Sequence, residues 1–247
     1  MHEAREHEEN TFATFTYRPE NLPIDGSLVP HHFQDFMKRL RRELHPKKVR
    51  YYHCGEYGDQ FERPHYHAAI FGYEPDDQDL YGHSNGEPLY RSPLLEKLWT
   101  HGNVITGQLT FESAAYIARY CTKKVNGVKR DEGHYIRSCP ITGETTEVHP
   151  EYSTMSNRPG IGADHFRTYP SDFFPSDEAV YKGRIFKPPR YYQKQFQSAD
   201  PEGWEAVRTK RLRFATDHAM DNSDERLAAR EKVKLAQFSQ LKRNYDI

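Results

Sequence analysis

The chain has 247 residues, 35 Lys and Arg against 36 Asp and Glu, and a formal charge of −1 with its 14 histidines neutral. That length suits one ordinary domain with appendages or two small ones, and a mean hydropathy of −0.97 implies a very polar surface around whatever core forms. No run of about 18 apolar residues exists, so no helical membrane span is expected. The acidic start MHEAREHEEN is unlike a secretory leader, and Cys54, Cys121 and Cys139 contain no CxxC pair, which points to a reducing compartment rather than a disulfide framework.

In chain order, TFATFTY (11–17) is rich in β-branched and aromatic residues and runs into the turn-forming RPENLP, which predicts a strand. VPHHFQDFMKRLRREL sets Phe33, Phe36, Met37, Leu40 and Leu44 at helical spacing, with basic residues on the other face and Pro46 as the stop. Segments 49–56 and 64–71 read as two strands of an antiparallel hairpin. Residues 72–93, full of Gly, Pro, Asp and Asn, read as loop. PLLEKLW predicts a short helix and NVITGQLT a strand. FESAAYIARYCTKKV predicts a further helix, capped by Thr110. This alternation predicts an α+β layer, helices packed on an antiparallel sheet. Beyond residue 134 the signals thin: a hairpin around Thr142-Gly143, a Gly/Pro turn entering a helix at SNRPGIGADHF, and a charged, helical stretch after FKPPRYYQ. No internal repeat, Walker-type loop or dinucleotide fingerprint is present, and the GxG of PGIGAD follows no clear strand.

Net charge hides local fields. Lys38, Arg39, Arg41, Arg42, Lys47, Lys48 and Arg50 crowd together against Glu43 alone, and Arg119, Lys123, Lys124, Lys129 and Arg130 form a second basic cluster; a third joins Arg208, Lys210, Arg211 and Arg213. Any one of them is compatible with a solvated helix face.

The chemistry-bearing stretch is ERPHYHAAIFG (62–72). His65 and His67, two apart on a strand, share one face about 6.5–7 Å apart and can converge on one ion. A single such histidine is ordinarily a satisfied core residue; the pair is not so easily explained. Glu56, across the predicted hairpin, brings a carboxylate to the same place. Two imidazoles and a carboxylate leave coordination positions open for a substrate. A closed zinc site would want four ligands, and Cys54, on the same face as Glu56, keeps that alternative open.

Tyr116 and Tyr120 lie one helical turn apart, with Lys123 on the same face and Lys124 beside it. Packing aromatics would give the same pattern, but the basic neighbours suggest chemistry: ionising a phenol at neutral pH costs roughly 4 kcal/mol, and a nearby ammonium lowers that cost. A metal that polarises a phosphodiester and a tyrosine that displaces its 3′-oxygen together make a covalent strand-cleaving mechanism.

These motifs resemble the HUH endonuclease superfamily of rolling-circle replication initiators, and most of all those of gokushovirus-type phages (Microviridae). TFATFTYRPENLP is similar to the first family motif, PHYH to the metal motif, GEYG to the position of the acidic third ligand, YIARYCTKK to the two-tyrosine motif, and MSNRPGIG to a further shared segment. The resemblance implies a central antiparallel sheet of ferredoxin- or RRM-like topology with a helical C-terminal extension. It implies a nuclease core over 10–133, a family-specific extension over 134–192 and a charged helical tail over 193–247. It also implies His65, His67 and Glu56 as ligands of Mg²⁺ or Mn²⁺, Tyr116 and Tyr120 as nucleophiles and Lys123 as their assistant. The partner would be single-stranded DNA at a phage replication origin, with phosphate contacts from Arg39, Arg42, Arg119 and Lys124 and stacking on Tyr51 and Tyr52. Host helicase and polymerase would complete the work in the cytoplasm of the infected bacterium. Phage proteins of this type carry a cysteine-rich segment before the first strand, which this sequence lacks. Two competing readings remain: a zinc-stabilised single-stranded-DNA-binding module, and a histidine-triad-like nucleotide hydrolase, which would need a third histidine where Ala69 stands.

Overall fold

The computed structural model describes residues 1–58, 61–84, 86–120, 124–138 and 143–240, the side chains of residues 120, 129 and 238 excepted. In chain order the elements are α1 (His2–Arg5), β1 (Asn10–Tyr17), α2 (Pro30–Glu43), β2 (Arg50–Tyr57), β3 (Pro64–Phe71), β4 (Asp79–Ser84) and β5 (Glu87–Arg91). There follow α3 (Pro93–Trp99), β6 (Gly102–Gln108), α4 (Phe111–Tyr120), α5 (Val128–Asp131), β7 (Ile136–Ser138), β8 (Thr145–Glu147) and β9 (Tyr152–Met155). The last are α6 (Ala163–Thr168), β10 (Ala179–Tyr181), β11 (Arg184–Phe186), α7 (Arg190–Ala199), α8 (Pro201–Asp217) and α9 (Asp224–Ser239). The chain forms two compact units, Met1–Ile161 and Gly162–Arg243, apart from the last few residues.

The first unit is built on one antiparallel sheet in the order β4-β5-β6-β1-β3-β2-β9. Its centre, β6-β1-β3-β2, with α2 linking β1 to β2 and α3 leading into β6, has the split β-α-β order of a ferredoxin-like sheet, as the sequence predicts. Alternation along the strands gives each face its own layer. On one face Ala13, Phe15, Tyr66, Ala68, Ile70 and Val104 meet Phe33, Phe36, Met37 and Leu40 of α2 and Leu95, Leu98 and Trp99 of α3. On the other, Phe12, Cys54, Ala69 and Phe71 meet Tyr116 and Ile117 of α4. α4 begins with reciprocal caps: Ser113 N donates to Thr110 Oγ1 at 3.1 Å and Thr110 N to Ser113 Oγ at 2.9 Å. Gly102 lets β6 pass tightly by β1, because a Cβ there would stand 2.1 Å from Thr16 O.

The segment expected as loop, 72–93, holds the hairpin β4–β5, which extends the sheet through β6. β4 is an edge strand with Leu80 and Tyr81 exposed, so it shows no buried-face periodicity. The sequence cue was the Asn85-Gly86 dipeptide, with Gly86 at φ +86°. β9 was likewise missed; it pairs with β2 from Tyr52↔Met155 to Gly55↔Tyr152. The expected hairpin near 142 is present as β7 and β8, although residues 139–142 lie outside the described residues.

The second unit packs Phe166, Phe173, Phe174, Tyr192 and Val207 into a small core. Beside it the buried Asp177 takes a bidentate pair from Arg211, Nε at 2.8 Å and Nη2 at 2.5 Å. The C-terminal extension is helical, as expected, in α7, α8 and α9.

Candidate metal centre

Register brings the predicted ligands together. Glu56 on β2 stands directly opposite His65 on β3, and His67 is flanked by Cys54 and, on β1, by Thr14. Being two apart, His65 and His67 share a face, the one covered by α4. Tyr66 between them points into the α2 layer, where its hydroxyl lies 2.8 Å from that of Tyr17 and accepts from Val29 N at 2.9 Å.

Oε1 of Glu56 lies 3.0 Å from Nε2 of His65 and 2.8 Å from Nε2 of His67. The three candidate ligand atoms fall within 4.8 Å of one another. Among the described residues this is the sole group of three or more His, Cys, Asp or Glu side chains able to hold a metal ion, and Cys54 is not part of it. Glu56 and His67 are 1% exposed and His65 14%, so the group opens on the His65 side. Burial alone would raise the Glu56 carboxyl, but the hydrogen bonds to His65 and His67 outweigh it and hold the group down at about 2.

Nδ1 of His65 donates to Arg63 O at 3.1 Å. Its proton is therefore committed to Nδ1, and Nε2 faces the Glu56 carboxylate either with a second proton or across a cation. A donor set of two imidazoles and one carboxylate, buried and with no thiolate, fits a divalent ion that keeps open positions.

α4 covers this group. Tyr116 is 1% exposed, and its ring meets His67 edge-on at 5.0 Å between centroids and Phe12 at 6.3 Å. Arg119 sits on the same helix with its guanidinium carbon 5.9 Å from the Tyr116 ring centre. Tyr120 is the last residue of α4, one turn on; its side chain and Lys123 lie outside the described residues. Lys124 is exposed after the helix.

The other basic candidates stand elsewhere. Arg39 and Arg42 belong to α2, on the opposite face of the sheet. Arg39 donates to Leu98 O at 2.7 Å and Trp99 O at 3.4 Å, fastening α2 to the end of α3, whereas Arg42 is exposed. Tyr51 also faces α2, its ring 5.4 Å from that of Phe33, while Tyr52 packs partly buried in the α4 layer. Two participants escaped the sequence reading: Thr14, whose Oγ1 lies 2.9 Å from His67 Nδ1, and Phe12, stacked on the His67 ring at 5.8 Å. The only cue for Thr14 was a polar residue in an apolar strand.

Comparison with known proteins bears on this site. Residues 10–125, which carry β1, the ligand hairpin and α4, match the family of the replication-associated protein ORF2. These residues belong to that family. The chain is 34% identical over 212 residues to replication-associated protein VP4 of Bdellovibrio phage phiMH2K, covering 82% of this chain and 62% of that protein. It is 31% identical over 235 residues to replication-associated protein ORF4 of Chlamydia phage 1, covering 89% and 55%. Replication-associated protein ORF2 of Spiroplasma virus 4 is 30% identical over 200 residues, covering 76% and 58%. The chain thus spans little more than half the length of these relatives. No solved structure matches the chain.

Proposed function

We propose that this chain is a metal-dependent nickase and rejoining enzyme for single-stranded DNA, which initiates rolling-circle replication of a small phage genome. The observation that carries the reading is the packing of Tyr116, on the helix that covers the ligand group, edge-on against His67 at 5.0 Å. A phenol-bearing helix turn and a buried chelating group then share one face of one sheet.

His65, His67 and Glu56 would hold Mg²⁺ or Mn²⁺, and the bound ion would supply charge stabilisation at a phosphodiester. The remaining work falls to the protein. The phenolic oxygen of Tyr116 or Tyr120 attacks phosphorus, the bond from phosphorus to the 3′-oxygen breaks, and the phenol proton ends on that 3′-oxygen. The 5′-phosphate stays on the tyrosine, and attack by a 3′-hydroxyl reverses the step. Because the phosphotyrosyl ester keeps the energy of the cleaved linkage, no nucleotide cofactor is needed. Lys123 assists the phenol, while Arg119 and Lys124, on the side of α4, hold backbone phosphates. Strand separation would be left to a host helicase, within the infected bacterium.

The test is incubation of the protein with Mn²⁺ and single-stranded DNA of the phage origin, followed by denaturing electrophoresis. A covalent adduct is expected from wild type. It should persist in Tyr116→Phe and in Tyr120→Phe with altered strand transfer, and vanish in the double variant. No adduct from wild type would refute the nickase and favour a DNA-binding module, and an adduct from the double variant would refute the nucleophiles.

A further inference from the structure

The two imidazoles are held at Nδ1 by different kinds of atom. For His65 the partner is a carbonyl, which only accepts. For His67 it is the Thr14 hydroxyl at 2.9 Å, which can accept or donate. Thr14 and His67 are direct register partners on β1 and β3, and are 3% and 1% exposed, so water does not stand in for either.

A nitrogen that ligates a cation must present its lone pair. Nε2 of His67 is the atom that faces Glu56, so its ring proton must sit on Nδ1 and needs an acceptor there. Packing alone cannot select this arrangement. Phe12 and Tyr116 flank the ring, but an imidazole turned over by half a rotation has nearly the same shape. In that turned form a carbon meets Thr14 and Nε2 leaves the Glu56 side. The hydroxyl distinguishes the two forms, because only one of them gives it a hydrogen bond.

We propose that Thr14 is a positioning residue of the metal site: its hydroxyl accepts from Nδ1–H of His67 and so fixes the ring orientation and tautomer that present Nε2 to the cation. The inference rests on the metal-site reading above and concerns a residue outside the ligand set. It also accounts for a polar side chain in the middle of an apolar strand. Thr14→Val keeps the shape and deletes the hydroxyl; Thr14→Ser keeps the hydroxyl.

The experiment is calorimetric titration of Mn²⁺ into the full chain without DNA, for wild type and both variants, alongside their metal-free melting curves. Thr14→Val is expected to bind Mn²⁺ about 10- to 100-fold more weakly, the usual loss when a ligating histidine loses its outer partner, and Thr14→Ser within about 3-fold of wild type. Unchanged affinity in Thr14→Val, or equal losses in both variants, would overturn the inference while leaving the metal site intact. Failure of wild type to bind Mn²⁺ would overturn the site itself, and Thr14 with it. A second measurement needs no variant: ¹⁵N spectra of the histidines in wild type loaded with Mg²⁺ should show the His67 proton on Nδ1. A proton on Nε2 would refute the proposal.

Discussion

Between the two histidines, Tyr66 anchors the register by burying its phenol in the α2 layer, where burial pushes that phenol up to about 12 against the opposing hydrogen bonds. With Tyr66 committed inward, a one-residue slip of β3 would move both imidazoles into the α2 layer and turn the tyrosine out of it, so the ligand face is fixed by a residue that takes no part in it. This is why the pair and Glu56 were legible from a period of two and a predicted hairpin, whereas Thr14 was not: its role depends on which strand sits beside β3, and sequence spacing carries no such information. The carboxylate makes a pH prediction. Glu56 is held at about 2 against an ordinary 4.5, so its charged form stabilises the metal-free fold fully above 4.5 and that contribution is lost as pH falls through about 2. Glu56→Gln should therefore flatten the acid limb of stability over that interval, which urea midpoints on either side of it will show; an unaltered acid limb would contradict the assignment.

At the scale of elements, α2 and α4 look alike in sequence, each amphipathic with basic residues, yet they lie on opposite faces and differ in what their cations do. Arg39 directs its guanidinium to the carbonyls of Leu98 and Trp99. Arg39→Ala is expected to cost about 1–2 kcal/mol of stability in chemical denaturation while weakening single-stranded-DNA affinity less than Arg119→Ala does. Equal or larger loss of DNA affinity in Arg39→Ala would place the DNA path across α2 instead. Helices and central strands were readable because each buries one continuous face. β4, β5 and β9 were not, since edge strands show mixed exposure, and their Gly, Pro and Asn content imitates a loop.

For the molecule as a whole, the boundary between units falls at Ile161, with β9 inside the first unit and a separate aromatic core in the second. Residues past 133 are thus integral to the first unit. The Tyr135 hydroxyl accepts from Val125 N at 2.9 Å and donates to the Glu151 carboxylate at 2.7 Å, tying the chain after α4 to the segment that leads into β9. A fragment of residues 1–161 should fold and bind Mn²⁺, and one of residues 1–133, deprived of Tyr135, Glu151 and β9, should be markedly less stable; calorimetry on both checks this, and equal stability would contradict it. The central claim concerns where DNA becomes attached, and Arg119 makes it directly readable, because trypsin cutting there separates Tyr116 (peptide 98–119) from Tyr120 (peptide 120–123). Mass spectrometry of the digested protein–DNA adduct should find the 5′-phosphonucleotide on one or both of these peptides. Attachment to any other tyrosine of the chain would contradict the account.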